Sequence, residues 1–252
     1  MKRALLAACL LLAAAARPHP ATVPLSRTDL AWWSTRLAAK AAEQHRGPVD
    51  LVFYGDSITQ DWELAGPEPW RNFAPIWQHY YGGRHALNLG FKGDATSHLL
   101  WRIEHGEADG ISPKAAVILI GANNFGHLHW PAAPTEQGIA RIVDVLHQRL
   151  PHTKLLLLGV LPSIRNAWVD ANTATLNAAL AARYKGSAEV TFLDAGALFR
   201  KHGAVDPTRF MDPHLSPPDP PLHPSAQAQA DLAAFIEPTL AAMLGDHPRP
   251  PL

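Results

Sequence analysis

The sequence predicts an α/β fold, a three-layer α/β/α sandwich on a five-stranded parallel sheet. Two observations carry this expectation. Five runs, 51–54, 85–89, 115–120, 154–160 and 189–193, are apolar almost throughout. Several stretches between them place apolar residues at helical spacing. A strand with two apolar faces must be covered on both, which is the setting of a parallel sheet between helical layers.

The chain has 252 residues, enough for one large core. Hydrophobic residues make up 47% and charged residues 17%, the balance of a globular protein. Formal net charge is zero and no long basic run occurs, so a nucleic-acid surface is not expected. Lys2 and Arg3 precede an apolar run at 4–16, too short to cross a bilayer as a helix. Residues 1–16 therefore read as a signal peptide with a cleavage site near Ala14-Ala15-Ala16, and the protein is expected to be secreted or periplasmic. A retained anchor is the alternative. The single cysteine, Cys9, lies in this leader, so no disulfide is expected in the mature chain.

Residues 17–28 are Pro-rich, and 29–245 read as one domain without repeat or linker. The first helix is expected over 29–45, where Leu30, Trp33, Leu37 and Ala41 share a face, and Gly47-Pro48 ends it. Further helices are expected at 96–105, 135–150, 172–184 and 225–244. Right-handed crossovers favour the flavodoxin-like strand order 2-1-3-4-5.

Four short segments concentrate polar chemistry. Gly55-Asp56-Ser57 follows the first strand, and Gly90-Phe91-Lys92-Gly93-Asp94 the second. Gly121-Ala122-Asn123-Asn124 follows the third, and Leu222-His223-Pro224 lies near the carboxyl end. A parallel sheet brings strand carboxyl ends to one edge, where ligands bind. A serine there with a histidine within reach is the arrangement for nucleophilic acyl transfer. Each residue also has a structural reading. Ser57 suits a helix N-cap, Gly93 a turn, Asn123 a loop cap, and His223 the surface before a Pro-initiated helix.

Together the segments resemble the SGNH/GDSL hydrolase superfamily, most closely the platelet-activating-factor acetylhydrolase catalytic subunits and their bacterial relatives. Gly55-Asp56-Ser57-Ile58-Thr59-Gln60, Asn88 through Thr96, and Leu100-Trp101-Arg102-Ile103-Glu104-His105-Gly106-Glu107 carry the likeness, with Gly121-Ala122-Asn123-Asn124 and Leu157 through Pro162. The resemblance implies that Ser57 attacks an ester carbonyl and that His223 acts as general base and then acid. It implies an oxyanion hole from the backbone N–H groups of Ser57 and Gly93 and the side-chain amide of Asn123. One such donor is typically worth about 2.7–4 kcal/mol of barrier. Asp56 is expected to order the turn beside the serine.

The third triad member departs from the family pattern, which places an aspartate three residues before the histidine. Position 220 is proline. Asp219 is the first candidate, Asp212 the second, and a backbone carbonyl the third, since this member mainly fixes tautomer and ring orientation. Trp62, Asn124, Arg165 and Trp168 are candidate substrate contacts. His127-Leu128-His129 reads as an exposed loop, no cluster has metal spacing, and no cofactor is expected.

The expected activity is a serine esterase acting on short acyl esters, acetyl above all, of O-acetylated carbohydrates through an acyl-enzyme. Alternatives are a phospholipid acetylhydrolase, an acyltransferase, and a non-catalytic binding module of the same fold.

Overall fold

A computed structural model describes residues 17–66 and 72–252; the expected signal peptide lies outside them. Helix α1 (Ala31–Gln44) leads into β1 (Leu51–Gly55), which is followed by the short α2 (Ser57–Gln60) and by α3 (Ala74–Tyr81). Next come β2 (Ala86–Gly90), α4 (Thr96–Arg102), β3 (Ala115–Leu119), α5 (Ala122–Gly126) and α6 (Ala132–Arg149). The chain continues through β4 (Lys154–Leu158), α7 (Ala167–Arg183), β5 (Val190–Leu193), a small hairpin of β6 (Arg200–Lys201) and β7 (Ala204–Val205), and α8 (Ala226–Leu244).

The five long strands form one parallel sheet in the order β2-β1-β3-β4-β5, as the sequence predicts. Every residue of β1 and β3 is buried, which is why those runs are apolar throughout. Helices α4, α6 and α7 pack side by side, while α3 packs on α8 in the other layer. The chain reaches β2 on one side of β1, then adds every later strand on the other side. The direction therefore reverses between β1 and β3, and their carboxyl ends open a crevice there.

Helix α3 is not apparent from the sequence. It is short and aromatic-rich, and its buried residues Ile76, Tyr80 and Tyr81 span little more than one turn. Helix α7 begins five residues before the expected 172, because the Asn166 side chain caps it by accepting from Val169 N–H at 2.9 Å. The expected helix 96–105 is regular only to Arg102. A π-type turn follows over Ile103–Glu107, with Gly106 at φ 119°. That turn brings the Glu107 carboxylate back onto the Arg102 guanidinium.

Trp62 belongs to the core. It is 4% exposed and packs with Trp77 and Tyr81, which meet Phe53 at ring centroid distances of 5.0 and 4.7 Å. Such pairs contribute roughly 0.5–1.5 kcal/mol each beyond area burial. The expected substrate contact at Trp62 is therefore corrected to an aromatic cluster beneath the sheet edge.

Candidate active site

Strand β1 delivers Ser57. The chain turns at Gly55, where a Cβ would lie 2.0 Å from Thr59 Oγ1, so only glycine fits. Asp56, rather than Ser57, is the N-cap of α2: its Oδ1 accepts from Ile58 N–H at 3.0 Å. Burial pushes the Asp56 carboxyl up to about 7, against the pull of that hydrogen bond. The serine hydroxyl is thus free of the cap. Ser57 Oγ sits 2.9 Å from His223 Nε2.

His223 arrives on the loop before α8. Its Nδ1 lies 2.7 Å from Asp212 Oδ1. The sequence favours Asp219 for this contact, and the structure corrects it. Asp219 uses its backbone N–H on the Asp212 carbonyl at 3.2 Å, while the imidazole is met by Asp212. The reason lies in the prolines between them. Pro217, Pro218, Pro220 and Pro221 have no N–H, so this stretch forms a loop rather than a regular element. Its base is closed by a bridge between Phe210 and Pro224 and by Met211 N–H on His223 carbonyl at 2.9 Å. That closure sets Asp212 beside a histidine eleven residues later.

The loop after β2 supplies Gly93, at φ 75°, a conformation that favours glycine. Asp94 anchors this loop and is fully buried. Its Oδ1 accepts from Arg27 Nη1 and Trp33 Nε1, both at 3.0 Å, and its Oδ2 from Arg102 Nε at 2.8 Å. Arg102 also donates to the carbonyls of Leu89 and Gly55 at 3.2 Å each, and its guanidinium lies 4.0 Å over the Phe91 ring. One buried cation thus ties the ends of β1 and β2 to the Gly93 loop. Arg27 reaches in from the Pro-rich amino-terminal segment. It donates to Lys92 carbonyl at 2.9 Å and rests against Gly93, where a Cβ would meet its Nη1 at 3.2 Å.

After β3, Asn123 is buried and its Nδ2 donates to the Asp94 carbonyl at 2.9 Å. An amide nitrogen carries two hydrogens, so one remains for the cavity. Asn124 faces away. Its Oδ1 accepts from Thr96 N–H at 3.0 Å and its Nδ2 donates to Thr96 Oγ1 at 2.8 Å, so this expected substrate contact is a tie between α5 and α4.

Ser57, Gly93, Asn123, Asp212 and His223 line one cavity of about 340 Å³, with Asp61 and Lys92 in its wall. Trp168 does not line it; this residue is 40% exposed and edges onto Phe125. Arg165 is half-buried behind Gly126, where a Cβ would fall 1.7 Å from its Nη1, and it too stands outside the lining. Burial lowers its pKa, opposed by the charges of Asp212, Asp56 and Asp219. His127 does reach the cavity wall, although its loop is exposed as the sequence predicts. Among the described residues, no three His, Cys, Asp or Glu side chains are placed to hold a metal ion.

The electrostatics favour a charged imidazole. Burial pulls the His223 pKa down, but the Asp212 hydrogen bond and the charges of Asp61, Asp212 and Asp56 outweigh it, leaving the value raised. The Asp61 carboxyl is itself raised by burial, against His223 and Lys92.

The family model for the GDSL-like lipase/acylhydrolase family matches residues 53–230. This chain belongs to that family. The Gly55-Asp56-Ser57 turn and the loops after β2 and β3 fall within the match. Platelet-activating factor acetylhydrolase IB subunit alpha1 of Homo sapiens and of Bos taurus are each 34% identical over 148 residues. That alignment spans 57% of this chain and 58% of theirs, less than two thirds of those relatives. Among solved structures, a GDSL-like lipase from Bacteroides thetaiotaomicron superposes with TM-score 0.65 at 19% identity, covering 82% of this chain and 97% of that one. A carbohydrate acetylesterase family member from Sinorhizobium meliloti gives 0.56 at 19%, covering 77% and 98%. At these identities the likeness is one of fold.

Nothing in the sequence marks Arg27 or Asp61 for the site, and Lys92 and Asp94 stand in the segment after the second strand without a role that the sequence assigns. Arg102 stands in the Leu100–Glu107 stretch that carries the family likeness, so its signal was present. Arg27 had none, because nothing local in a Pro-rich segment says which loop it will touch.

Proposed function

We propose that this GDSL-family hydrolase removes short acyl groups, acetyl foremost, from carbohydrate hydroxyls through an acyl-enzyme on Ser57. The observation that carries this reading is the unbroken line of hydrogen bonds from Ser57 Oγ through the His223 ring to Asp212. His223 Nε2 takes the Ser57 proton as Oγ attacks the carbonyl carbon. The N–H groups of Ser57 and Gly93 and the second Asn123 amide hydrogen receive the oxyanion. The imidazolium, held by Asp212, returns its proton to the departing alcohol. Water then repeats the sequence in reverse and frees the acid.

The cavity supports a short acyl group: its volume of about 340 Å³ is at the lower end for ligand pockets, and Leu64, Met211, Leu215 and Leu222 give it an apolar side. The Sinorhizobium acetylesterase of the same fold supports a carbohydrate alcohol. The 34% likeness to platelet-activating factor acetylhydrolase subunits favours a second reading, an acetylated phospholipid such as platelet-activating factor. Hydrolysis of acetylated xylo-oligosaccharides, compared with that phospholipid and with nitrophenyl acetate and octanoate, tests both. Preference for octanoate overturns the acetyl assignment, and turnover of the phospholipid alone overturns the carbohydrate one. Lys2, Arg3 and the apolar run 4–16 support export, which cell fractionation with amino-terminal sequencing would test.

A further inference from the structure

Asp61 stands four residues after Ser57, one helical turn along, with a carboxylate that the proposed chemistry does not use. Its side chain is only 4% exposed. Its Oδ1 has no hydrogen-bond partner among the described residues. The cation facing it, Lys92 Nζ, lies 3.5 Å away, too far for a good hydrogen bond. Both groups line the cavity that holds Ser57 and His223. Native proteins rarely leave a buried carboxylate oxygen without a good hydrogen bond, so this one, met only by the long ion-pair contact with Lys92, has room for a further donor.

We infer that Asp61 and Lys92 form a subsite for a vicinal diol on the alcohol half of the ester. The inference rests on the esterase reading and specifies its leaving group. A short acyl chain has no hydrogen-bond donor, so any donor the ester offers to Asp61 Oδ1 comes from its alcohol half. One hydroxyl donates to Asp61 while its neighbour accepts from Lys92. A vicinal diol meets the two groups with separate hydroxyls, whereas an alcohol whose only hydroxyl is esterified offers Asp61 no donor. The pair is held in place for such recognition. Lys92 N–H donates to Gln60 Oε1 at 2.8 Å, and Lys92 carbonyl accepts from Arg27, so the backbone is tied while the half-exposed ammonium stays free to turn. An anionic headgroup is disfavoured, because Asp61, Asp212 and Asp219 all face the cavity.

The test compares two acetate esters with the same carbon chain, 1-O-acetylglycerol, which carries a vicinal diol, and propyl acetate, which carries none. The readout is the ratio of their kcat/KM values, which cancels general damage to the chemistry and any loss of folded enzyme. Asp61→Asn should lower that ratio about tenfold, the effect expected of one hydrogen bond to a charged group. Lys92→Met, a change at a half-exposed side chain, should lower it in the same direction. A ratio near one in the wild type, or a ratio unchanged by Asp61→Asn, overturns the subsite. Turnover of neither ester overturns the esterase reading and the subsite with it. Diol preference lost in Asp61→Asn, with no action on acetylated oligosaccharides, upholds the subsite and overturns the carbohydrate assignment.

Discussion

Asp212 holds residue 223 by both ring and backbone. Its Oδ1 meets His223 Nδ1 at 2.7 Å, while its Oδ2 accepts the backbone N–H of His223 and, at 2.7 Å, that of Leu222. One buried carboxylate therefore sets the tautomer, the ring orientation and the path of the chain carrying the base. Asp212→Asn presents an amide N–H₂ to one of these partners and forces the wrong tautomer or a turned ring. The expected loss in kcat is about 10³–10⁴-fold. Asp219→Asn should keep kcat within the wild-type order of magnitude. Steady-state kinetics of the two variants decides between the acids, and the reverse ranking would restore Asp219.

The pH profile follows from the charges around His223. The base works only when neutral, and its pKa is raised above the ordinary 6.5 by Asp212, Asp61 and Asp56 against the effect of burial. kcat/KM should therefore climb with pH through an acid limb centred above 6.5. Asp61→Asn removes one of those charges, so the limb should move to lower pH. A wild-type limb at or below the ordinary value would contradict this arrangement.

Arg27 binds the Lys92 carbonyl and Asp94 from a segment remote in sequence, bracketing Gly93. Its loss should loosen an oxyanion donor while leaving Ser57 and His223 in contact. Arg27→Met is expected to lower kcat on the order of 10–100-fold with little change in KM, as for small misplacements of catalytic groups. Kinetics with nitrophenyl acetate measures this. An unchanged kcat would mean that Asp94 and Arg102 suffice to hold the loop.

Arg102 is fully buried between Asp94 and Glu107. Removing one member of such a network leaves uncompensated buried charge, so Arg102→Met should cost about 3–5 kcal/mol of stability. The loss should depend on pH. Burial raises the Glu107 pKa above its unfolded value, opposed by the Arg102 charge and hydrogen bond. Without Arg102 that rise is larger. A carboxyl raised in the folded state favours folding at low pH, and this contribution is lost as pH rises through the folded value. The variant should therefore lose more stability at pH 8 than at pH 5 in urea titrations. Equal losses at both would show that the network carries little charge.

The sequence by itself determined the sheet and its order. Five apolar runs can be buried on both faces only between helical layers, and Gly-Asp-Ser, Gly93 and Asn123 each follow a strand, so the topology alone brings them to one edge. His223 was legible through the family resemblance, in a Leu-His-Pro segment ahead of the last helix. Tertiary structure decided the rest. Asp212 displaced Asp219 because the Phe210–Pro224 bridge closes the base of the proline loop with Asp212 beside His223, and loop closure is not written in spacing. Trp62 and Asn124 turned into the core and into an interhelical tie because their neighbours, Tyr81 and Thr96, come from other segments. Arg27 and the Asp61–Lys92 pair depend on contacts between residues that are 65 and 31 positions apart. Local propensity governs which element a residue joins; which distant charge it faces is settled only when the layers pack.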